Sequence, residues 1–207
     1  MRQLCADAQG VSIIEFALML PLLILIGATG LEMINYVLAN QKIERIASIT
    51  ADNIARNTLR PSERSFVDSF AAVNDIGKPF DVLADGRVII TGVVGVQEAG
   101  RVVGKVVWQR CSGGLPGRRS RVGSQPADPG RWAEGPTATL PNNIPLLQNQ
   151  MVVVSEVSYR YTPLVSLAQL QGFTGSDIIN QTSVFVARGQ VFTSITPVTG
   201  VTPATCG

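Results

Sequence analysis

The chain has 207 residues, a formal net charge of +2 and only 15% charged residues, so it presents no strong field to nucleic acid or to an acidic surface. It contains no histidine, which removes the usual general base, the common nucleophile pairs and most zinc chemistry. The sequence also lacks a phosphate-binding loop, a dinucleotide-binding glycine motif and a Cys-x-x-Cys pair. We therefore expect no catalytic residues, no cofactor and no metal site.

The first predicted element is an apolar helix. Val11 to Leu31 form a run of 21 residues whose only charge is Glu15. A helix of that length spans about 30 Å, the thickness of the hydrocarbon layer of a bilayer. The ten residues before it are polar and carry Arg2, which favours a cytoplasmic N-terminus. The pattern predicts a single-pass membrane anchor, with the remaining chain outside the cytoplasm.

A carboxylate within such a run is costly, about 2.5 to 3.5 kcal/mol at mid-bilayer. The residues around Glu15 form a pattern: Gly10 precedes it by five positions, Phe16-Ala17-Leu18 follow it, and Leu-Pro-Leu-Leu occupies residues 20–23. This segment resembles the N-terminus of the TadE-like pilus assembly proteins, which are minor pilins or pseudopilins of the Tad/Flp type IV pilus system. The resemblance covers about the first 50 residues.

The resemblance implies cleavage between Gly10 and Val11 by a prepilin peptidase. Glu15 would then be the fifth residue of the mature chain, placed to pair with the new α-amino group of a neighbouring subunit and so to serve subunit registration or recognition. The implied partners are the peptidase, other pilins and pseudopilins of the Tad/Flp system, and the inner-membrane assembly platform. The implied function is support of pilus assembly in adhesion, colonisation or secretion.

Two other interpretations of this segment remain open. In the first, it is an ordinary signal anchor and Glu15 lies near the interface by chance. In the second, Ala28-Thr29-Gly30 is a signal peptidase site, and cleavage before Leu31 releases a soluble domain. The length of the apolar run and the acid within it argue against a secretory signal, whose apolar region usually has about 7 to 15 residues.

After the membrane, the helix is predicted to continue to about Asn57 with one side against a folded domain. The apolar positions that indicate this face are Leu31, Ile34, Leu38, Ile46, Ile49 and Ile54. A second, short helix is indicated by Pro61-Ser62-Glu63 and ends near Gly77-Lys78-Pro79.

The rest of the chain is rich in β-strand signals. Strands are predicted at Arg87 to Gln97, Arg101 to Arg110, Met151 to Tyr161 and Thr182 to Phe192, with a helical turn at Pro163 to Gln171. The first two are joined by the tight Glu98-Ala99-Gly100 turn, which indicates an antiparallel hairpin. The predicted fold class is α+β: a long N-terminal transmembrane and amphipathic helix packed on a mainly antiparallel sheet of about four strands, as in pilins.

The predicted organisation has four parts. Residues 1–10 are a prepilin leader, 11–31 the transmembrane helix, 32–58 its periplasmic extension, and 59–207 a periplasmic α+β domain with a long loop at 112–148. The loop contains six prolines and six glycines and little apolar periodicity.

Three cysteines are present, and cleavage after Gly10 would remove Cys5. Cys111 and Cys206 would then be the two cysteines of the exported domain, available for a structural disulfide in an oxidising periplasm. Such a bridge would close a loop of about 95 residues and stabilise the domain by about 4 to 5 kcal/mol on the chain-entropy model.

The long loop supports an alternative function, an uncleaved membrane-anchored periplasmic binding module that holds an envelope ligand. Its basic residues Arg118, Arg119 and Arg121 have no interleaved aromatic residues, so nucleic acid is not expected. An enzyme would have to rely on carboxylates, which show no pairing motif. The carboxylates considered are Asp75, Asp81, Asp85 and Glu156.

Overall fold

The computed structural model describes residues 8–57, 60–164 and 177–206, with side chains from Ile13 onward. Its elements are α1 (Ala8–Ala55), α2 (Glu63–Gly77), α3 (Val82–Asp85), β1 (Gly86–Glu98), β2 (Arg101–Ser112), β3 (Met151–Arg160) and β4 (Ile178–Val186), with 3-10 turns at Pro129–Glu134 and Pro141–Asn143. The four strands form one antiparallel sheet in the order β2-β1-β3-β4. The predicted α+β class, with a long helix packed on this sheet, is confirmed.

The chain divides into two compact units. One comprises residues 1–38 and 162–176, of which the structure describes α1 up to Leu38 and residues 162–164. Within it, the backbone N–H of Leu164 donates to Oε2 of the buried Glu32, with 2.9 Å between N and O. The other unit comprises residues 39–161 and 177–207 and holds the sheet. Most of the predicted helical turn at Pro163 to Gln171 lies outside the described residues.

Helix α1 is continuous through Pro21 and becomes one-sided at Ala39. From Ala39 onward its buried apolar residues recur mainly at three- and four-residue spacing and are Ala39, Ile43, Ile46, Ala47, Ala51, Ile54 and Ala55. Four of the seven are alanines, whose small side chains allow the helix to approach the sheet closely. Thr50, on the same face, lies 2.7 Å from Ser155 of β3, Oγ1 to Oγ, in a buried hydroxyl contact.

The prediction that this buried face begins at Leu31 is wrong. Leu31, Ile34 and Leu38 are 66%, 59% and 47% exposed, and Ile49 is also exposed. The prediction followed the large apolar residues, whereas the face is built around alanines, which are weak signals of amphipathicity. The large apolar side chains before Ala39 therefore extend the exposed apolar surface of the helix.

Helix α2 begins where the sequence predicts. Ser62 is its N-cap and accepts a hydrogen bond from the Ser65 backbone N–H, with 3.3 Å between N and Oγ. The helix buries Phe66, Phe70 and Val73 at three- and four-residue spacing. It ends at Gly77, where a Cβ would lie 2.8 Å from Cγ2 of Val82, so the following chain packs closely against a glycine.

The predicted hairpin is present as β1 and β2. Its two-residue turn places Ala99 and Gly100 at φ of 49° and 82°, the left-handed geometry of tight hairpin turns. A bulge at Gly92/Val93 shifts the pairing, so that Gly92 lies opposite Trp108. A Cβ on residue 92 would stand 2.3 Å from Cε2 of the indole, and the glycine therefore makes room for a tryptophan that is 2% exposed.

Both faces of the sheet are covered. On the helix face, β3 presents Val153, Ser155 and Val157. On the opposite face, here called the loop face, Val152 and Val154 join a cluster with residues of the hairpin and of the long loop. That cluster consists of Val93, Val106, Val122, Leu140, Val152 and Val154. The long loop is therefore the second layer over the sheet.

The fourth strand differs in its bounds from the prediction of Thr182 to Phe192. It runs from Ile178 to Val186 because it pairs with the whole of β3, from Arg160↔Ile178 to Val152↔Val186. The following C-terminal tail (residues 187–206) leaves the sheet edge. Within this tail, Phe192 stacks on Trp108 with ring centroids 6.0 Å apart, and its carbonyl accepts from the indole Nε1 at 3.1 Å.

Candidate functional site

The most exposed apolar surface is the first half of α1. From Ile13 to Gly27 every residue is exposed, on all sides of the helix, and most of the large apolar side chains from there to Leu38 are exposed as well. A helix that is apolar all round requires an apolar environment, either a membrane or other apolar helices. By length and composition this helix is able to span a bilayer.

Glu15 lies on this exposed surface. It makes no hydrogen bond or ion pair with any residue that the structure describes. Gly10 and Val11 lie within the first turns of the same helix. The residues singled out for processing and registration therefore share one helical segment with the apolar surface.

Cys111 and Cys206 are joined by a disulfide, with 5.0 Å between their Cα atoms. Cys111 is near the end of the edge strand β2, and its backbone N–H donates to the carbonyl of Ala204, with 2.8 Å between N and O. Further back in the tail, Thr196 pairs with the segment before α2, its N–H donating to the Pro61 carbonyl at 2.9 Å. The tail is thus fixed to a helix start and to the far edge of the sheet.

On the loop face lies a cavity of about 420 Å³, lined by both half-cystines and by three arginines, Arg87, Arg118 and Arg119. Nε of Arg87 is buried and, among the described residues, has no hydrogen-bond partner. An unsatisfied buried polar group costs about 1 to 3 kcal/mol, and more if it is charged. The third arginine of the sequence cluster, Arg121, does not line this cavity.

The loop beside the cavity is held by one buried carboxylate. Glu156 of β3 accepts hydrogen bonds from the Ser120 hydroxyl and from the backbone N–H of Arg121, the latter at 2.9 Å. Leu115 and Val122, on either side of this segment, are buried. Because its backbone is anchored at both ends, the segment that carries Arg118 and Arg119 has a defined position on the sheet.

Residues 10–52 match the family model described as TadE-like protein. The N-terminal segment is similar to this family. This match, which covers about a fifth of the chain, confirms the resemblance predicted from the residues around Glu15. No curated protein and no solved structure matches the chain.

The TadE-like segment contains the exposed apolar helix and the first part of the buried face of α1, and it ends three residues before the helix does. It therefore includes Gly10, Val11 and Glu15. The disulfide and the basic cavity lie outside it. Their interpretation depends on the structure alone.

The structure also brings together a pair that sequence reasoning missed. Arg110 of β2 makes a bidentate ion pair with Glu63 in the first turn of α2, with Nε 2.9 and 3.1 Å from the two carboxylate oxygens. The two side chains are only 11% and 5% exposed. A buried carboxylate at the start of a helix, 47 residues from its partner, leaves no local sequence signal beyond its favourable position at the N-terminus.

Three of the four carboxylates considered for an enzyme have structural partners. Asp75 pairs with Lys78 at 2.8 Å, and the hydrogen bond from this lysine lowers the pKa of the carboxyl. Asp81 caps α3 by accepting from the Ala84 N–H at 3.1 Å, and Glu156 holds the loop. Within the described ranges, no three His, Cys, Asp or Glu side chains are grouped so that they could hold a metal ion.

Proposed function

We propose that the protein is a minor pilin or pseudopilin that supports assembly of a Tad/Flp-type pilus. The observation that carries the proposal is the TadE-like helix, exposed and apolar on all sides from Ile13 to Gly27 and interrupted near its start by Glu15, which has no partner among the described residues. Such a surface suits both a membrane anchor before assembly and a helix bundle after it. The biological outcome would be adhesion, colonisation or secretion.

The proposed organisation places residues 1–10 as a leader in the cytoplasm and residues 11–31 in the inner membrane. Residues 32–58 extend the helix into the periplasm, and 59–207 form the periplasmic domain. The disulfide between Cys111 and Cys206 supports an oxidising compartment for that domain, since such bonds are rare in the cytoplasm.

Glu15 has a specific role in this proposal. Cleavage after Gly10 creates a positively charged α-amino group on Val11, four residues before the carboxylate of Glu15. In an apolar helix bundle, pairing of Glu15 with the amino group of a neighbouring subunit neutralises both charges and fixes the axial position of one subunit against the next. The partners are accordingly a prepilin peptidase, other pilins and pseudopilins, and the assembly platform.

The test is the N-terminal sequence and intact mass of the full chain recovered from membranes, with and without a co-expressed prepilin peptidase. We expect a start at Val11 only with the peptidase. Gly10→Phe should block this cleavage, whereas the matched variant Gly30→Phe, in the same helix, should not. Neither a mature start at Leu31 nor an intact Met1 in the presence of active peptidase is compatible with the proposal.

A second experiment addresses Glu15 separately from processing. Glu15→Gln should be cleaved normally but should fail to support pilus formation in cells. The control is Glu44→Gln, which removes an exposed carboxylate further along the same helix and should leave pilus formation intact. Equal pilus formation in both variants would exclude the registration role.

The alternative of an uncleaved binding module that acts through loop 112–148 predicts retention of Met1 and full function of Gly10→Phe. In the structure, this loop covers one face of the sheet through the buried Leu115, Val122 and Leu140. Part of the loop is therefore needed for packing, and a ligand would bind at its exposed parts, which line the cavity at the arginines and a second cavity beside the turn between β1 and β2.

A further inference from the structure

We propose that the cavity on the loop face is a binding site for a phosphate-type oxyanion. Arg87 comes from β1, and Arg118 and Arg119 come from the anchored segment of the loop, so elements distant in sequence place three arginine residues around one space. None of the described residues that line the cavity carries a carboxylate. Its neutral polar lining consists of Gln109, Ser120 and Ser124.

The charge balance favours an anion even when the nearest acid is counted. Glu156 contacts Ser120, which lines the cavity, and its carboxylate accepts hydrogen bonds from the Ser120 hydroxyl and the Arg121 N–H. Against this single negative charge stand the three arginines of the lining. Arginine is a preferred residue for phosphate because its planar donor fork bonds two oxygens at once.

The hydrogen-bond inventory also indicates a missing acceptor. Arg87 Nε is buried and has no partner among the described residues, and a buried donor normally finds an acceptor. Nε is closed to solvent, so in this proposal the Arg87 side chain turns toward an oxyanion bound in the cavity that it lines. The side-chain N–H groups of Gln109, in contrast, already have acceptors, because they donate to Thr91 Oγ1 and to the Gly123 carbonyl.

The size of the cavity indicates that the phosphate is part of a larger molecule. A volume of about 420 Å³ lies within the range of small-molecule sites, about 300 to 1,000 Å³, and exceeds what a bare phosphate ion fills. Phosphate chemistry is available from two sources, a soluble phosphate compound or the headgroup of an anionic phospholipid. The proposal does not depend on the pilus role, because a soluble or anchored domain of any function would retain this cavity.

The experiment uses the full, oxidised chain in neutral detergent and isothermal titration calorimetry. The probes are inorganic phosphate and glycerophosphoglycerol, the deacylated headgroup of phosphatidylglycerol, with glycerophosphocholine as the zwitterionic control. Tighter binding of inorganic phosphate would indicate a soluble source, and tighter binding of glycerophosphoglycerol a lipid headgroup. Absence of saturable binding by both anionic probes would overturn the proposal.

The matched variants have the same loss of charge. Arg118→Gln/Arg119→Gln should weaken binding by at least about tenfold, because it removes two of the guanidinium donors. Arg101→Gln/Arg131→Gln removes two exposed arginines outside the cavity and should change the affinity by less than about twofold. Equal weakening by the two double variants would show non-specific attraction and would contradict a defined site.

A second measurement covers the case in which the loop variant is unstable. In the unaltered chain, the preferred anionic probe should raise the thermal unfolding temperature in proportion to the logarithm of its concentration above Kd, as expected for a ligand of the native state. Potassium chloride at equal ionic strength should not reproduce the shift. An identical shift with chloride would contradict the site.

Discussion

Replacing Arg110 by methionine should destabilise the domain strongly. In the native chain, both Nε contacts and the Nη2 contact of Arg110 go to the carboxylate of Glu63, which is only 5% exposed. Methionine can occupy much of the same space but cannot neutralise the acid. Because breaking a buried ion pair from one side leaves an uncompensated charge, we expect a loss of about 3 to 5 kcal/mol in the free energy of unfolding.

The measurement is denaturant unfolding of the full, oxidised chain in neutral detergent, followed by tryptophan fluorescence, since Trp108 lies in the core. The control is Lys78→Met, which breaks an ion pair of 2.8 Å whose side chains are 75% and 77% exposed. This control should show no measurable loss. The double variant Glu63→Leu/Arg110→Met should be more stable than Arg110→Met, because it removes the stranded charge as well.

Two results would refute this reasoning. A loss below about 1 kcal/mol for Arg110→Met would be the size of an exposed pair and would mean that Glu63 is hydrated or repositioned. A double variant less stable than Arg110→Met would show that the loss comes from packing rather than from the stranded carboxylate.

Gly92→Ala should cost about 1 to 3 kcal/mol, because its Cβ would overlap the indole of Trp108, and Trp108→Phe in the same chain should recover part of the loss in the same unfolding assay. Cys206→Ser should cost about 4 to 5 kcal/mol on the chain-entropy model for a loop that joins positions 95 apart, and reduction of the unaltered chain should reproduce it. Burial raises the pKa of the Tyr159 hydroxyl, and the repulsion of Asp85 and Asp81 raises it to a smaller extent. The raised pKa contributes stability that is fully present below the unfolded-state pKa near 10 and is lost as the pH rises through the raised value. Tyr159→Phe should therefore reduce the alkaline loss of stability in a pH series.

The fold was predictable from the sequence where the signals are local. The apolar run of α1, the start of α2 after Pro61-Ser62 and the Ala99-Gly100 turn each depend on neighbouring residues, and the structure has them where the pattern indicates. The alternation in β3 was also visible, with Val153 and Val154 on opposite faces. These features follow from backbone geometry and short-range hydrogen bonds.

What was missed depends on contacts between distant residues. Large side chains dominate a periodicity count, so the predicted buried face of α1 included Ile46 and Ile54, which are buried, but also Leu31 and Ile34, which are exposed. It omitted the buried alanines, such as Ala39 and Ala47. The ion pair of Arg110 is decided by which face of β2 meets α2. Such choices are fixed by tertiary packing, which no window of the sequence contains.

Of the candidate sites, the segment around Glu15 was predictable from the sequence and the basic cavity was not. Glu15 was conspicuous because a charge in an apolar run is costly, and the family match covers it. The basic cavity was not foreseen, since Arg87 is 31 residues before Arg118 and belongs to a strand with no basic pattern. From the sequence alone, Arg118 and Arg119 are typical of a solvated loop. In the structure they line the same cavity as Arg87.

The long loop that covers the sheet has a practical consequence for labelling the protein in living cells. A proline- and glycine-rich stretch of this length would ordinarily be the first choice for inserting an epitope or a dye-binding peptide. Here the stretch around Ser120 and Val122 is tied to Glu156 and to the apolar layer, so an insertion there would uncover one whole face of the sheet. The exposed turn at 127–130 is the better position, because a peptide added there would extend into solvent.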